Sequence, residues 1–76
     1  MHILIKTLTG RVLQVDLVQN ASISSIYSSI ETSTGIPQDE QNLILNGQSL
    51  ERCLNINDYN LQENDLVHLV LDIDGG

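Results

Sequence analysis

Few of the 76 residues are of types that do chemistry. The candidates are His2 and His68, the thiol of Cys53, acids such as Asp16, Asp58, Asp65, Asp72 and Asp74, and a closing pair, Gly75–Gly76. Nucleophilic catalysis needs a nucleophile beside a base that a third group orients. Both histidines fall in strand-like alternation with no nucleophile partnered to them, so that arrangement is absent. A zinc site needs Cys and His at short fixed spacings, and none occurs. Cys53 sits in "LERCLNIND", without a histidine or a thiolate-stabilising cluster, and reads as an ordinary thiol. No glycine-rich turn leads into a helix to cradle phosphate, and the five acids read as scattered surface and loop residues. We expect no enzyme, no metal and no bound cofactor. What remains is the end, "LVLDIDGG". Glycine gives a strand nothing to pack and costs conformational entropy. A diglycine is therefore either a frayed terminus or a segment used for its bareness, and the rest of the chain has to decide between them.

Seventy-six residues make one domain. A chain this short buries only about 60% of the surface that its unfolded form exposes, which leaves little room for a catalytic cleft. The composition is 41% hydrophobic but only 3% aromatic, so the core must be aliphatic. Ten acids against Lys6, Arg11 and Arg52 give a net charge of −7. Phosphate contacts depend on Lys and Arg, so nucleic acid and anionic membranes are poor partners. Proteins with basic surfaces suit it better, although most of the acids need do no more than keep a small monomer in solution. One cysteine excludes an internal disulfide and fits a reducing compartment. With no charged-then-apolar leader and no apolar run of spanning length, a cytoplasmic or nuclear location is expected.

These candidates have to be positioned by a handful of elements. In "MHILIKTLTGRVLQVDL", Met1, Ile3 and Ile5 share one face, as do Leu13, Val15 and Leu17, with Gly10 in the turn: a β-hairpin with a bulge. Ile23, Ile26, Tyr27 and Ile30 then recur at helical spacing, with Ser22 as N-cap and Gly35 and Pro37 as stop. The opposite side of this helix is rich in serine, a poorer helix former than alanine, so packing must hold it. "QNLILNGQSL" gives two short strands around Asn46-Gly47. Residues 51–64 show little periodicity and read as loop. "LVHLVL" closes with Val67, Leu69 and Leu71 on one face and His68 and Val70 on the other. The fold class is α+β: a mixed sheet with one helix packed on one face.

One helix covers one face of a sheet, which leaves the apolar residues of the opposite phase to be explained. Leu43 and Leu45 point inward, so Ile44 points outward; Val70 does so beside His68, and Leu8 sits at a turn tip. If the first, third and last strands are neighbours, Leu8, Ile44, His68 and Val70 form one patch, and a contiguous exposed apolar patch suggests docking.

The segments "KTLTG", "TGIPQDEQNLIL", "LNGQSLE", "NDYNLQ" and "VHLVL", with Gly-Gly at the end, resemble the ubiquitin family from Met1 to Gly76 without a gap. Within it the chain is similar to ubiquitin and to the Nedd-type modifiers, while differing from ubiquitin itself. The resemblance implies the β-grasp fold, as a domain over 1–71 and a flexible conjugation tail over 72–76. It matches Leu8, Ile44, His68 and Val70 to the family's main recognition patch, with Gly47 at its edge. Ile36, Leu71 and Ile73 match a second patch, and Tyr59 and Glu51 a structural loop contact. Gly75 and Gly76 match the conjugation tail. In the family that tail's carboxylate is adenylated with ATP by an activating enzyme, taken up as a thioester, and passed by a conjugating enzyme to a lysine of a target protein as an isopeptide. The resemblance implies the same here. ATP is used by the activating enzyme, so no cofactor is implied for this chain. A tail without side chains threads a narrow channel to reach a nucleophile, which would account for the diglycine.

Three departures separate the chain from ubiquitin. Asp72 and Asp74 stand where ubiquitin has arginines, which points to activating-enzyme specificity. The seven chain-forming positions read Lys6, Arg11, Tyr27, Ser29, Ser33, Gln48 and Glu63, leaving Lys6 and the Met1 amine as candidate acceptors of another copy. Asn42, Gln48 and Asp72 replace basic residues at the rim of the patch, so receptors that read ubiquitin through that rim should differ. A covalent modifier is the favoured expectation. A non-covalent adaptor is the alternative, and a sulfur carrier, sharing fold and diglycine, is more distant.

Overall fold

The computed structural model describes residues 1–71. Its elements are β1 (His2–Lys6), β2 (Val12–Asp16), α1 (Ile23–Thr34), a 3-10 turn (Gln38–Glu40), β3 (Gln41–Leu45), β4 (Gln48–Ser49), a second 3-10 turn (Ile56–Tyr59) and β5 (Leu66–Leu71). The strands form one mixed sheet in the order β2-β1-β5-β3-β4. β1 and β5 run parallel at its centre, and the other neighbours are antiparallel. This is the β-grasp arrangement that the sequence implied.

The inward phases meet as expected. Ile5 lies opposite Val67 and Leu43 opposite Leu69, all buried. Ile23, Ile26, Tyr27 and Ile30 of α1 pack onto them in one aliphatic core. Ser22 caps α1 by accepting from the Ser25 N–H at 3.3 Å. Gly35 ends it in the left-handed region at φ 80°, where a side chain would be strained. The hydroxyls of Thr32 and Thr34 donate back to the carbonyls four residues earlier, a bonding that lends the backbone little rigidity. The buried stripe is what holds the helix. Asn46 and Gly47, at φ 52° and 81°, form the tight β3–β4 turn; open space surrounds Gly47, so backbone conformation and not crowding favours glycine there.

Residues 51–64 are more ordered than their lack of periodicity implied. Asn55 and Asp58 form a reciprocal capping box around the second 3-10 turn. Backbone bonds tie the segment to the start of α1, from Ile23 N–H to Leu54 O and from Ile56 N–H to Ala21 O. The Glu51 N–H donates to the Tyr59 hydroxyl at 2.7 Å, which is the loop contact that the resemblance implied. Two acids read as scattered, Asp58 and Asp65, in fact accept local backbone N–H groups. Side-chain caps of this kind leave no hydrophobic period to read.

His2 also has partners that the sequence concealed. Its ring lies 3.5 Å from Asp16 and 3.4 Å from Glu63, and its backbone N–H donates to Glu63 at 3.0 Å. That backbone bond is the main reason the Glu63 carboxyl is held below its ordinary pKa, with the His2 side chain and the N-terminal charge adding to it. A carboxylate with a lowered folded pKa favours the fold above its unfolded value, and the benefit disappears as pH falls through the folded one. Comparing melting temperatures of wild type and Glu63→Gln across pH should therefore give a constant gap near neutrality. The gap should narrow below the ordinary glutamate value of about 4.3.

Candidate docking face and tail

The outer face of the sheet is built by the phase opposite to the core. Ile44 of β3 lies opposite His68 of β5, Asn42 opposite Val70, and Lys6 of β1 opposite His68. Neighbouring strands lie about 4.8 Å apart, so these side chains share one surface. Leu8 is two residues beyond Lys6, as Val70 is two beyond His68, which puts both at the same end of the central strand pair. Leu8 is 72% exposed and Val70 37%; His68 is exposed and Ile44 half-buried. The structure thus brings together Ile44, His68 and Val70, whose neighbourhood depended on the strand order; Leu8 stands in the exposed turn after β1, where it borders the groove described below. Gly47 lies at the turn just past Ile44's strand, and Lys6 is exposed on the same face.

Sequence reading missed part of this surface. Leu4 of β1 lies opposite Leu66 of β5, and Val12 of β2 opposite Lys6. Val12 and Leu66 are 53% and 41% exposed. With half-buried Leu4 they extend the apolar face across Lys6 toward β2. The signal was present in "HILIK" and "LVHLVL", where the residues out of phase with the core are themselves apolar.

Of the second set, Ile36 and Leu71 are half-buried and line one groove of about 300 Å³ with Leu8, Leu13 and Leu69. Thr7, Thr9, Ser33, Thr34 and Arg11 complete its walls. Ile73, the acids Asp72 and Asp74, and the diglycine Gly75–Gly76 lie outside the described residues. The two candidate acceptor amines differ. Met1 donates to the Leu17 carbonyl at 3.1 Å and lies 3.8 Å from Asp16, whereas the Lys6 amine has no ion pair among the described residues. No group of three or more His, Cys, Asp or Glu residues is placed to hold a metal ion among the described residues.

On the opposite side of the sheet, Arg52 lies over the ring of Tyr27, 4.3 Å from its centroid, and donates to the carbonyls of Gln38 and Gln41. Gln41 is buried. Its Nε2 donates to Tyr27 O and Ile36 O, while its Oε1 has no partner among the described residues. Arg52 and Gln41 thus serve the framework that carries β3, and with it Ile44.

Comparison with known proteins gives the same fold a family. The sequence model of the ubiquitin family matches residues 3–74. Over all 76 residues the chain is 37% identical to ubiquitin-like protein 1 of Schizosaccharomyces pombe, covering 97% of that protein. It is 36% identical to the NEDD8-like protein RUB1 of Saccharomyces cerevisiae and 33% to the ubiquitin-like protein NEDD8 of Dictyostelium discoideum, covering 99% of each. A family match across nearly the whole chain, relatives matched along nearly their whole length, and a helix clasped by a β2-β1-β5-β3-β4 sheet agree: the chain belongs to the ubiquitin family.

Proposed function

We propose that the chain is a covalent protein modifier of the NEDD8-like kind. An activating enzyme adenylates the Gly76 carboxylate with ATP, expelling pyrophosphate, and a thiolate displaces AMP to form a thioester. A target lysine amine then displaces the thiol, giving an isopeptide bond. The chain supplies the acyl group and other proteins the catalysis, in the cytoplasm or nucleus. The observation that carries this reading is the whole-length likeness to NEDD8-like proteins of a chain whose Ile44, His68 and Val70 share the outer face of the sheet. That face is the surface by which receptors would read the attached domain.

The test is an N-terminally tagged chain expressed in its native cells beside Gly76→Ala, with both immunoblotted under denaturing, reducing conditions. Higher-mass bands with the intact tail alone are expected. The acids Asp72 and Asp74 favour a second reading, a non-covalent adaptor that docks through the Ile44 face. Absence of bands from both chains, with partners that co-purify with wild type and not with Ile44→Ala, would replace the first reading with the second.

A further inference from the structure

Among the described residues, those other than glycine with positive φ are all asparagines: Asn20, Asn46, Asn60 and Asn64. Asparagine visits that region because its short polar side chain bonds locally. Asn46 is the one asparagine of the chain that a glycine follows. Other asparagine amides are engaged: Asn57 donates to Asn20 at 2.5 Å, Asn42 accepts from Ser49, and Asn55 caps the second 3-10 turn. The Asn46 amide makes no hydrogen bond among the described residues, and neither does the Gly47 N–H beside it. Both residues are exposed, and open space surrounds Gly47. The strand that closes their turn, β4, is two residues long and pairs only Ile44 with Ser49 and Leu45 with Gln48. An element so short and exposed opens locally at little cost. An amide carbon and a backbone nitrogen thus stand next to each other in the chain, both unengaged, with no side chain on Gly47 to crowd their approach.

We propose that Asn46 is a self-modification site at the edge of the docking face, with water as its only co-reactant. When β4 opens, the Asn46 backbone leaves its left-handed conformation and the Gly47 nitrogen attacks the side-chain carbon Cγ. The C–N bond of the side-chain amide breaks, ammonia leaves with the proton that the Gly47 nitrogen gave up, and a cyclic imide remains. Water then adds to one of the two imide carbonyls. Breaking the bond from nitrogen to Cγ restores the backbone, with aspartate at position 46. Breaking the bond from nitrogen to the main-chain carbonyl instead carries the backbone through Cγ, as isoaspartate, and makes it one carbon longer. Either product adds a negative charge at the turn that follows Ile44's strand. The longer backbone also falls between Leu45 and Gln48, the pair that closes the turn. A two-residue hairpin turn fixes the register of its strands by its length, so β4 loses its pairing. Leu50, just beyond, stays buried, with its N–H on Leu43 O at 2.8 Å and its carbonyl on the Tyr27 hydroxyl. The change is therefore confined to the Gly47 edge of the face that carries Ile44. The chemistry stands on the turn alone, whereas its action as a clock on receptor docking rests on the docking reading above.

The test incubates the purified full chain for days at neutral pH and physiological temperature, then cuts it after Glu40 and Glu51 to release Asn46 within residues 41–51. Mass spectrometry detects the exchange of amide for acid, and chromatography parts the aspartate from the isoaspartate form. Conversion is expected to be many-fold faster at Asn46 than at Asn20, Asn60 or Asn64, each of which precedes a residue with a side chain. The rate should rise in step with hydroxide, because the Gly47 nitrogen reacts without its proton. Asn46→Gln, which must close a larger ring, should all but abolish conversion at that position. In amide spectra of isotope-labelled chain, ageing should shift Ile44 to Ser49 and leave β1, β2 and α1 unmoved. Asn46→Asp should reproduce the part of these shifts that comes from charge alone, with isoaspartate adding the rest. Conversion no faster at Asn46 than at the other three asparagines overturns the site. Conversion that leaves the Ile44 amide unmoved overturns its action on the docking face. Failure of the conjugation blot, or of Ile44→Ala to lose partners, would leave these readouts unaffected, so the two readings fail separately.

Discussion

Asp72→Arg combined with Asp74→Arg is expected to make the chain a much better substrate for ubiquitin-activating enzyme, raising kcat/KM for thioester formation on the order of a hundredfold. The ubiquitin pattern carries arginines at these two positions, and a groove that receives arginines presents acids. An aspartate there exchanges a favourable pair for like-charge repulsion or an unpaired buried acid, a cost of several kcal/mol. Each 1.4 kcal/mol is about tenfold in affinity, so two reversals amount to at least two orders of magnitude. Single-turnover thioester assays with wild type, each single reversal and the double variant would measure this. A partner enzyme dedicated to this chain should show the opposite preference. Equal charging of wild type and double variant by the ubiquitin enzyme would mean that the two acids do not set specificity.

The largest expected effect on stability comes from removing a single oxygen. Tyr27→Phe should cost about 1–3 kcal/mol without changing the fold. The hydroxyl is buried and joins two segments: it donates to Leu50 O at 3.1 Å and accepts from Leu43 N–H at 3.2 Å. Phenylalanine fills the same space but leaves a buried donor and a buried acceptor unpaired, and that desolvation sets the cost. For a domain of this size 1 kcal/mol corresponds to roughly 4–8 °C in melting temperature, so a substantial drop is expected. The urea m-value should stay the same, since the surface exposed on unfolding does not change. The ring remains beneath Arg52 in Tyr27→Phe, so the loss isolates the hydroxyl from the cation–π contact. Tyr59→Phe is a useful comparison: its hydroxyl accepts one N–H at 2.7 Å from a half-buried position, and a smaller loss is expected.

Tyr27 also shows where sequence reading stops. Helical spacing with Ile23, Ile26 and Ile30 placed it in the core, which is correct, but gave no sign that its hydroxyl reaches residues 16 and 23 positions away. Arg52 likewise read as one of three cations in an acidic chain, while the fold lays it across the Tyr27 ring. His2 read as an isolated strand residue, yet its partner Glu63 is 61 positions distant.

What the sequence determined by itself were the elements marked by an apolar period or by turn and cap residues a few positions apart; the 3-10 turn at Ile56–Tyr59, local but without such a period, was not among them. The first hairpin, the α1 stripe with its Ser22 and Gly35 caps, the Asn46-Gly47 turn and the alternation of β5 follow from short-range backbone preference and from the period at which apolar side chains recur. The family match also lay in the residues as they stand. The tertiary structure alone decided which strands are neighbours. The outward phase of β3 and β5 was readable, but whether Ile44, His68 and Val70 shared a surface with Lys6 of β1 depended on β5 lying between β1 and β3. The same order joined Leu4, Val12 and Leu66 to that face and set Arg11 beside the groove where β5 ends. Alternation fixes which side of a strand faces inward, whereas pairing between distant strands is chosen by how all the apolar stripes are buried at once. That choice is a property of the whole chain and leaves no mark on any short stretch of it.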